Sequence, residues 1–239
     1  MLHLCGEWER KDGMMKVGNT EYDAASDLPG EVPVFPLSGA LLLPGAQLPL
    51  NIFEPRYISM FDDCLAGSRL IGVIQPALEH DQSDERPVGD LCAIGCLGRI
   101  LGYGETGDGR YVLTLGGVCR FRVKTEVFDP PRAYRVCAIE PEMADLAKND
   151  LGETVDREEL LRSFRAYLDA NNLEVDWKSV EKASNATLVN SLSMMSPYGP
   201  AEKQALLEAR DIKARADTLI AITEMVLAQN DEDTSWRLQ

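Results

Sequence analysis

The spacing of apolar residues changes near residue 140, and this change constrains the fold more than any other feature of the 239-residue sequence. Before it, the apolar runs are short. In one of them Cys119, Phe121 and Val123 alternate with basic residues, which is the period of a half-buried strand. After it, Leu160 and Phe164 lie one helical turn apart and belong to a longer amphipathic pattern. The chain is therefore predicted to be α+β, with strands first and a C-terminal α-helical bundle second.

The first half of the chain is predicted to form a mostly antiparallel β-barrel or pseudobarrel, because many short strands occur without regular strand–helix alternation. One early helix is expected, with Pro55 at its first position and Gly67 at its end. In the second half, Asp156 and Ser184 are predicted helix caps. Strands are predicted over residues 32–37, 47–53, 70–74, 91–103, 111–124 and 134–139.

Four segments follow from this pattern: a flexible leader at 1–30, a barrel at 31–145, a helical part at 146–229 and a polar tail at 230–239. The leader shows no periodic apolar face and is expected to be dispensable for folding. Translation starting at Met1, Met14 or Met15 is compatible with the sequence.

Nucleotide-binding motifs are absent or lack the context that they need. Residues 102–107 match the dinucleotide fingerprint G-x-G-x-x-G, but Asp108 and Gly109 and then a strand follow instead of a helix, which indicates a hairpin turn. No P-loop occurs, and no Gly-Lys pair exists in the sequence.

No cofactor or metal is expected. The six cysteines are scattered, and Cys92 and Cys96 on one strand would lie about 13 Å apart, too far for a shared zinc ion or a disulfide. The histidines are His3 and His80, so a nucleophile–histidine pair has almost no candidates. An enzyme that uses a carboxylate or thiol site not recognisable from the sequence remains an alternative.

The formal net charge of −15 disfavours nucleic acid and anionic membranes as partners, because both require a basic face. Residues 1–15 carry charges throughout and do not form a secretory signal, and no apolar run is long enough to span a bilayer. A reducing, cytoplasmic location is expected for the free cysteines.

A candidate peptide-binding groove is predicted around residues 41–57. Pro44 and Pro49 each lack an N–H, so a strand here cannot be hydrogen-bonded along its whole edge, and an extended peptide can add to it. The alternative is that the leucines are core residues. Leu42→Asp separates the two, since only a core residue would lose several kcal/mol of stability. The candidate contacts are Leu41, Leu42, Leu43, Leu48, Leu50, Phe53, Arg56 and Tyr57.

Residues 32–37 (VPVFPL), 43–45 (LPG) and 48–57 (LPLNIFEPRY) resemble the opening signature of the N-terminal substrate-recognition domain of Lon proteases. The resemblance covers roughly residues 30–228. Weaker similarities follow in the same order at residues 72–74, 95–100, 116–121, 188–192 and 202–208.

This resemblance implies a PUA-like β-pseudobarrel followed by a helical bundle, in a stand-alone form without the ATPase and peptidase domains. It implies a non-enzymatic module that binds unfolded or tagged proteins or peptides, acts as an adaptor or regulator in proteolysis or protein quality control, and has an ATP-dependent protease as a possible partner. An RNA-binding role, known for PUA-like barrels, is the other alternative, and the acidic charge weighs against it.

Overall fold

The structure of the protein, a computed structural model, describes residues 15–77, 90–128, 130–147, 154–171 and 175–237, with side chains as far as residue 229. The strands are β1 (Met15–Val17), β2 (Thr20–Tyr22), β3 (Glu31–Pro36), β4 (Gln47–Ile52), β5 (Leu70–Ile74), β6 (Ile94–Glu105), β7 (Tyr111–Val127) and β8 (Val136–Pro141). The helices are α1 (Pro55–Ala66), α2 (Arg157–Ala170), α3 (Trp177–Lys182), α4 (Asn185–Met195), α5 (Pro200–Glu208) and α6 (Ile212–Arg237).

Five strands form a closed ring, which confirms the predicted pseudobarrel and the α+β class. Their order is β7-β6-β5-β3-β8, and β8 pairs again with the second half of β7. The sixth strand, β4, lies outside the ring and pairs with the first half of β7. The long β7 thus pairs with three strands, and register shifts interrupt its pairing with β6 and with β8.

One strand pair differs from the antiparallel prediction, because β3 runs parallel to β5. Parallel neighbours need a long crossover, and residues 37–69 supply it with β4 and α1. All other pairs in the sheet are antiparallel.

The predicted flexible leader is wrong for residues 15–28, which form a hairpin of β1 and β2 followed by a short 3₁₀ turn. Met15, Val17, Tyr22 and Leu28 are all buried in one core cluster with residues of the barrel. Arg99 of β6 fixes the hairpin by donating hydrogen bonds to the Tyr22 hydroxyl (3.1 Å) and to the Asn19 side chain (3.2 Å). Residues 1–14 lie outside the described part.

Local sequence signals set the helix limits, as predicted. Pro55 begins α1 and Gly67 follows its end. Asp156 accepts a hydrogen bond from the Glu159 N–H (3.0 Å) at the start of α2, and Ser184 caps α4 in the same way. The final helix continues to Arg237, through most of the predicted polar tail.

Two polar clusters join the barrel to the helical bundle. The buried Arg120 of β7 forms a bidentate ion pair with Asp145 (2.8 and 2.9 Å) and donates to three carbonyls at and beyond the end of α5. The buried Gln75 donates to the Pro200 carbonyl (2.9 Å) and to the Gln204 side chain of α5 (3.1 Å). Together with a shared apolar core, these bonds fix the bundle against the barrel.

Candidate peptide-binding surface

Leu41, Leu42 and Leu43 lie in the core, so the predicted groove does not include them as accessible residues. Their exposed fractions are 3%, 1% and 0%, and they belong to the apolar cluster shared by barrel and bundle. Gly117 of β7 allows this segment to approach, because a Cβ there would overlap the Leu43 carbonyl. The alternative prediction, that these leucines are core residues, therefore describes their placement.

The strand β4 is an edge strand, as Pro49 indicated. Among the described residues it is hydrogen-bonded as a strand to β7 alone, in a register that pairs Leu50 with Leu113 and Asn51 with Val112. A strand with one free edge offers backbone groups to an incoming chain. Pro49 removes one donor from β4, which limits the registers that an added strand can take.

The two faces of β4 differ. Leu48 and Leu50 point with the buried Leu113 and Leu115 toward the interior, are themselves half-buried, and pack against the core. Phe53, directly after the strand, is 60% exposed.

The outer face of the same sheet region is also apolar in part. Val112 is 44% exposed beside Asn51, and the guanidinium of Arg110 lies 5.9 Å from the centre of the Phe53 ring. The edge is thus bordered by apolar side chains on both faces.

Of the two polar contacts predicted at the start of α1, only Arg56 is at the surface. It forms an exposed ion pair with Glu54 (2.8 Å) and lies over the Tyr57 ring at 4.5 Å. Tyr57 is 7% exposed and packs on Phe35 with ring centres 4.3 Å apart. Burial raises the pKa of the Tyr57 hydroxyl.

A second surface feature was not predicted from the sequence: two clefts of about 340 Å³ each that share Tyr134 as a lining residue. The Tyr134 hydroxyl donates to Asp63 (2.6 Å), and burial together with this bond raises its pKa to about 12. Arg135 binds both Asp90 and Glu126. The one available signal was Pro130-Pro131 just before these residues, which breaks the connection into β8.

Groups suited to catalysis are scarce in the described part of the chain. The G-x-G-x-x-G segment ends β6 and enters the hairpin turn to β7, where the Thr106 N–H donates to the Arg110 carbonyl (3.1 Å). No cluster of three or more potential metal ligands occurs among the described residues. His80 lies outside them.

Four thiols in the described part are poor nucleophiles. Burial raises the pKa of Cys64 and of Cys119 to about 12, and that of Cys137 to about 11. Burial also raises the pKa of Cys96. Reactivity requires the thiolate, so none of these four residues is suited to attack a substrate.

We expect Cys64 and Cys119 to resist alkylation in the folded protein. With a pKa of about 12, only about one thiol in ten thousand is ionised at pH 8. Iodoacetamide labelling followed by peptide mass spectrometry should show little modification of either residue in buffer and complete modification in concentrated guanidinium chloride. Rapid labelling of either residue in the native protein would contradict this and would favour the thiol-enzyme alternative.

Comparison with known families identifies the fold and the domain. Residues 31–224 match the family model described as the ATP-dependent protease La (LON) substrate-binding domain. The chain belongs to the Lon substrate-binding domain family. The resemblance seen at residues 32–57 is therefore confirmed.

Curated Lon proteases match over most of this chain. The Lon protease of Desulfosudis oleivorans is 32% identical over 195 residues, which are 79% of this chain and 23% of that protein. The Lon protease of Flavobacterium johnsoniae is 26% identical over 193 residues, with 80% and 23% covered. The chain thus spans about a quarter of the length of these relatives.

Solved structures show the same fold. The Lon N-terminal domain protein of Xanthomonas campestris has a TM-score of 0.56 at 24% identity, covering 80% of this chain and 97% of that one. The N-terminal domain of Mycobacterium avium complex Lon protease has a TM-score of 0.60 at 18% identity, with 81% and 98% covered. Within the described residues, no helix has the length and apolar character needed to cross a membrane.

Proposed function

We propose that this Lon substrate-binding domain binds extended segments of unfolded or tagged proteins by strand addition to the free edge of β4. The observation that carries the proposal is the edge itself: β4 is paired on one side, half-buried Leu48 and Leu50 lie on one face, and exposed Phe53 follows at its end. Backbone groups of the edge would provide affinity, and the apolar side chains would select apolar segments.

We infer that the domain acts by binding polypeptides and not by catalysing a reaction. The sequence has no P-loop, and burial raises the thiol pKa of Cys64, Cys96, Cys119 and Cys137, so neither feature supports a catalytic role for this domain. We therefore propose a non-enzymatic adaptor or regulator that presents polypeptides to an ATP-dependent protease in the cytoplasm. The net charge of −15 supports protein ligands over RNA.

Replacing Phe53 by Ser is expected to weaken binding of an unfolded protein about five- to thirtyfold, as loss of an apolar anchor does. Because Phe53 is 60% exposed, the free energy of unfolding should change by less than about 0.5 kcal/mol. The measurement is fluorescence anisotropy with fluorescein-labelled, reduced and carboxymethylated α-lactalbumin, a chain that cannot refold.

Phe128 provides a matched control, since it is 75% exposed and follows the far end of β7. Phe128→Ser should leave binding unchanged. A second arm uses an apolar peptide and its copy with proline at alternate positions, because proline cannot complete a strand ladder. Equal effects of the two phenylalanine variants, or equal binding of the two peptides, would exclude strand addition at β4.

A further inference from the structure

The clefts on either side of Tyr134 form a groove along α1 that is separate from the edge of β4. The first cleft is lined by Tyr57 near the start of α1, and the second by Cys64 near its end. Seven helical residues correspond to about 10 Å. Pro36 and Pro33 of β3 line the first and second cleft, respectively. Both lack an N–H, so neither can donate a backbone hydrogen bond to a ligand.

The two clefts differ in chemistry. In the first cleft, the apolar residues Pro36, Tyr57, Pro76 and Leu91 lie beside the charged Arg56, Asp90 and Arg135. The charged groups of the first cleft already have ion-pair partners, because Arg135 pairs with Asp90 and Arg56 pairs with Glu54. The first cleft suits an apolar side chain, because burying one there removes apolar surface from water.

The second cleft contains Arg132, an exposed arginine. Its guanidinium lies 5.8 Å from the centre of the Tyr134 ring, and no described carboxylate forms an ion pair with it.

The carboxylates that line the groove already have partners. Asp90 is held by both terminal nitrogens of Arg135 (2.8 and 2.9 Å), and Asp63 accepts the hydrogen bond of the Tyr134 hydroxyl (2.6 Å). Arg132 is the group in the second cleft with capacity for a new anionic partner, because no described carboxylate pairs with it. The Asp63 carboxylate lines the same cleft and weakens this attraction without removing it. A carboxylate is the anion that a peptide offers.

We infer that this groove binds an extended peptide with an apolar side chain in the first cleft and a carboxylate, three residues away, on Arg132. Three residues of a polyproline II chain span about 9 Å, which matches the separation of the clefts along α1. This mode needs no backbone pairing and tolerates proline in the ligand. It is thereby distinct from strand addition at β4 and does not depend on it.

The probes are short fluorescein-labelled peptides that contain Leu-Pro-Pro-Glu or the reverse order, Glu-Pro-Pro-Leu, each with a counterpart in which Lys replaces Glu. Their prolines prevent strand addition, so binding reports on the groove alone. One order should bind about tenfold more tightly than its Lys counterpart, because a repulsion replaces an attraction and each is worth up to about 1 kcal/mol.

Two variants test whether the peptide binds in the two clefts. Arg132→Glu should weaken the Glu peptide about tenfold, whereas Lys178→Glu, a charge reversal at an exposed site on α3, should not. Ala133→Trp fills the first cleft from an exposed position and should abolish binding of both peptides. Phe53→Ser should have no effect on either.

The groove assignment is overturned if Glu and Lys peptides bind equally, if neither order binds below about 1 mM, or if Arg132→Glu and Lys178→Glu act alike. If Ala133→Trp does not fold by circular dichroism, the two charge reversals decide alone. Failure of the prolyl peptides, with binding of unfolded α-lactalbumin still sensitive to Phe53→Ser, removes the groove and leaves the proposed function in place.

Discussion

A chain that begins at Gly30 is expected to be several kcal/mol less stable than one that begins at Met14. The shorter chain lacks Met15, Val17, Tyr22 and Leu28, all of which are buried against the barrel. Full burial of such a side chain contributes roughly 1.5–3 kcal/mol, and the cost of ordering the hairpin offsets only part of this sum. Since domains of this kind are stable by only about 5–15 kcal/mol, urea unfolding should show a large shift in midpoint or no folded baseline.

Single substitutions at Tyr22 test the same contact without truncation. Tyr22→Ala should cost about 3–5 kcal/mol, as large-to-small changes of buried aromatic residues do. Tyr22→Phe removes only the hydroxyl that accepts from Arg99 and should cost about 1 kcal/mol. If the chain from Gly30 melts within a few degrees of the chain from Met14, the hairpin does not pack as described.

The hairpin was missed because periodicity needs more residues than it contains. Each of its strands has three residues, and two apolar positions in three do not define a period. A turn signal was present, since Gly18 and Asn19 separate the strands and Gly18 has a φ of 63°. What buries this segment is the barrel surface around Leu97 and Val118, which is remote in sequence.

Elements with strong local signals were predicted closely. The strand β5 matches its predicted limits of residues 70–74, and all five of its residues are buried. The starts of α1, α2 and α4 follow from Pro55, Asp156 and Ser184, because a first-turn proline and a capping side chain act within a few residues. The crossover that makes β3 parallel to β5 is a long-range property and carries no such local signal.

In the candidate surface, too, the features with a local sequence signal were predicted and those that depend on long-range contacts were not. Pro49 predicted that β4 is an edge strand, because a proline has no N–H to donate within a sheet and this can be read from the residue itself. The burial of Leu42 depends on contact with Gly98 of β6 and on the helical bundle, neither of which the run of leucines reveals. The groove at Tyr134 joins α1, β3 and residues 132–135, so no single stretch of sequence contains it.

Arg120→Met is expected to lower the free energy of unfolding by about 3–5 kcal/mol, as removal of one member of a buried ion pair does. The change leaves the Asp145 carboxylate, whose side chain is 11% exposed, with the Arg120 backbone N–H (2.8 Å) as its described donor. It also removes the donors to the carbonyls of Leu207, Ala209 and Arg210. Urea denaturation followed by circular dichroism measures the loss.

Two further variants distinguish the effect of the Arg120 charge from that of its guanidinium geometry. Arg120→Lys keeps the charge but cannot reproduce the planar fork that reaches both carboxylate oxygens, so its loss should be intermediate. Arg122→Met, two residues along the same strand at an exposed position, should change stability by less than about 0.5 kcal/mol.

The double variant of Arg120→Met with Asp145→Leu determines whether the pair acts as a unit. If it does, the double variant should be about 2–3 kcal/mol more stable than the sum of the single losses predicts, because neither charge is then left unpaired. Additive losses would mean that Arg120 stabilises the contact between barrel and bundle mainly through the carbonyls at the end of α5. A loss of less than about 1 kcal/mol for Arg120→Met alone would show that water replaces the guanidinium, and that the shared apolar core is what fixes the bundle against the barrel.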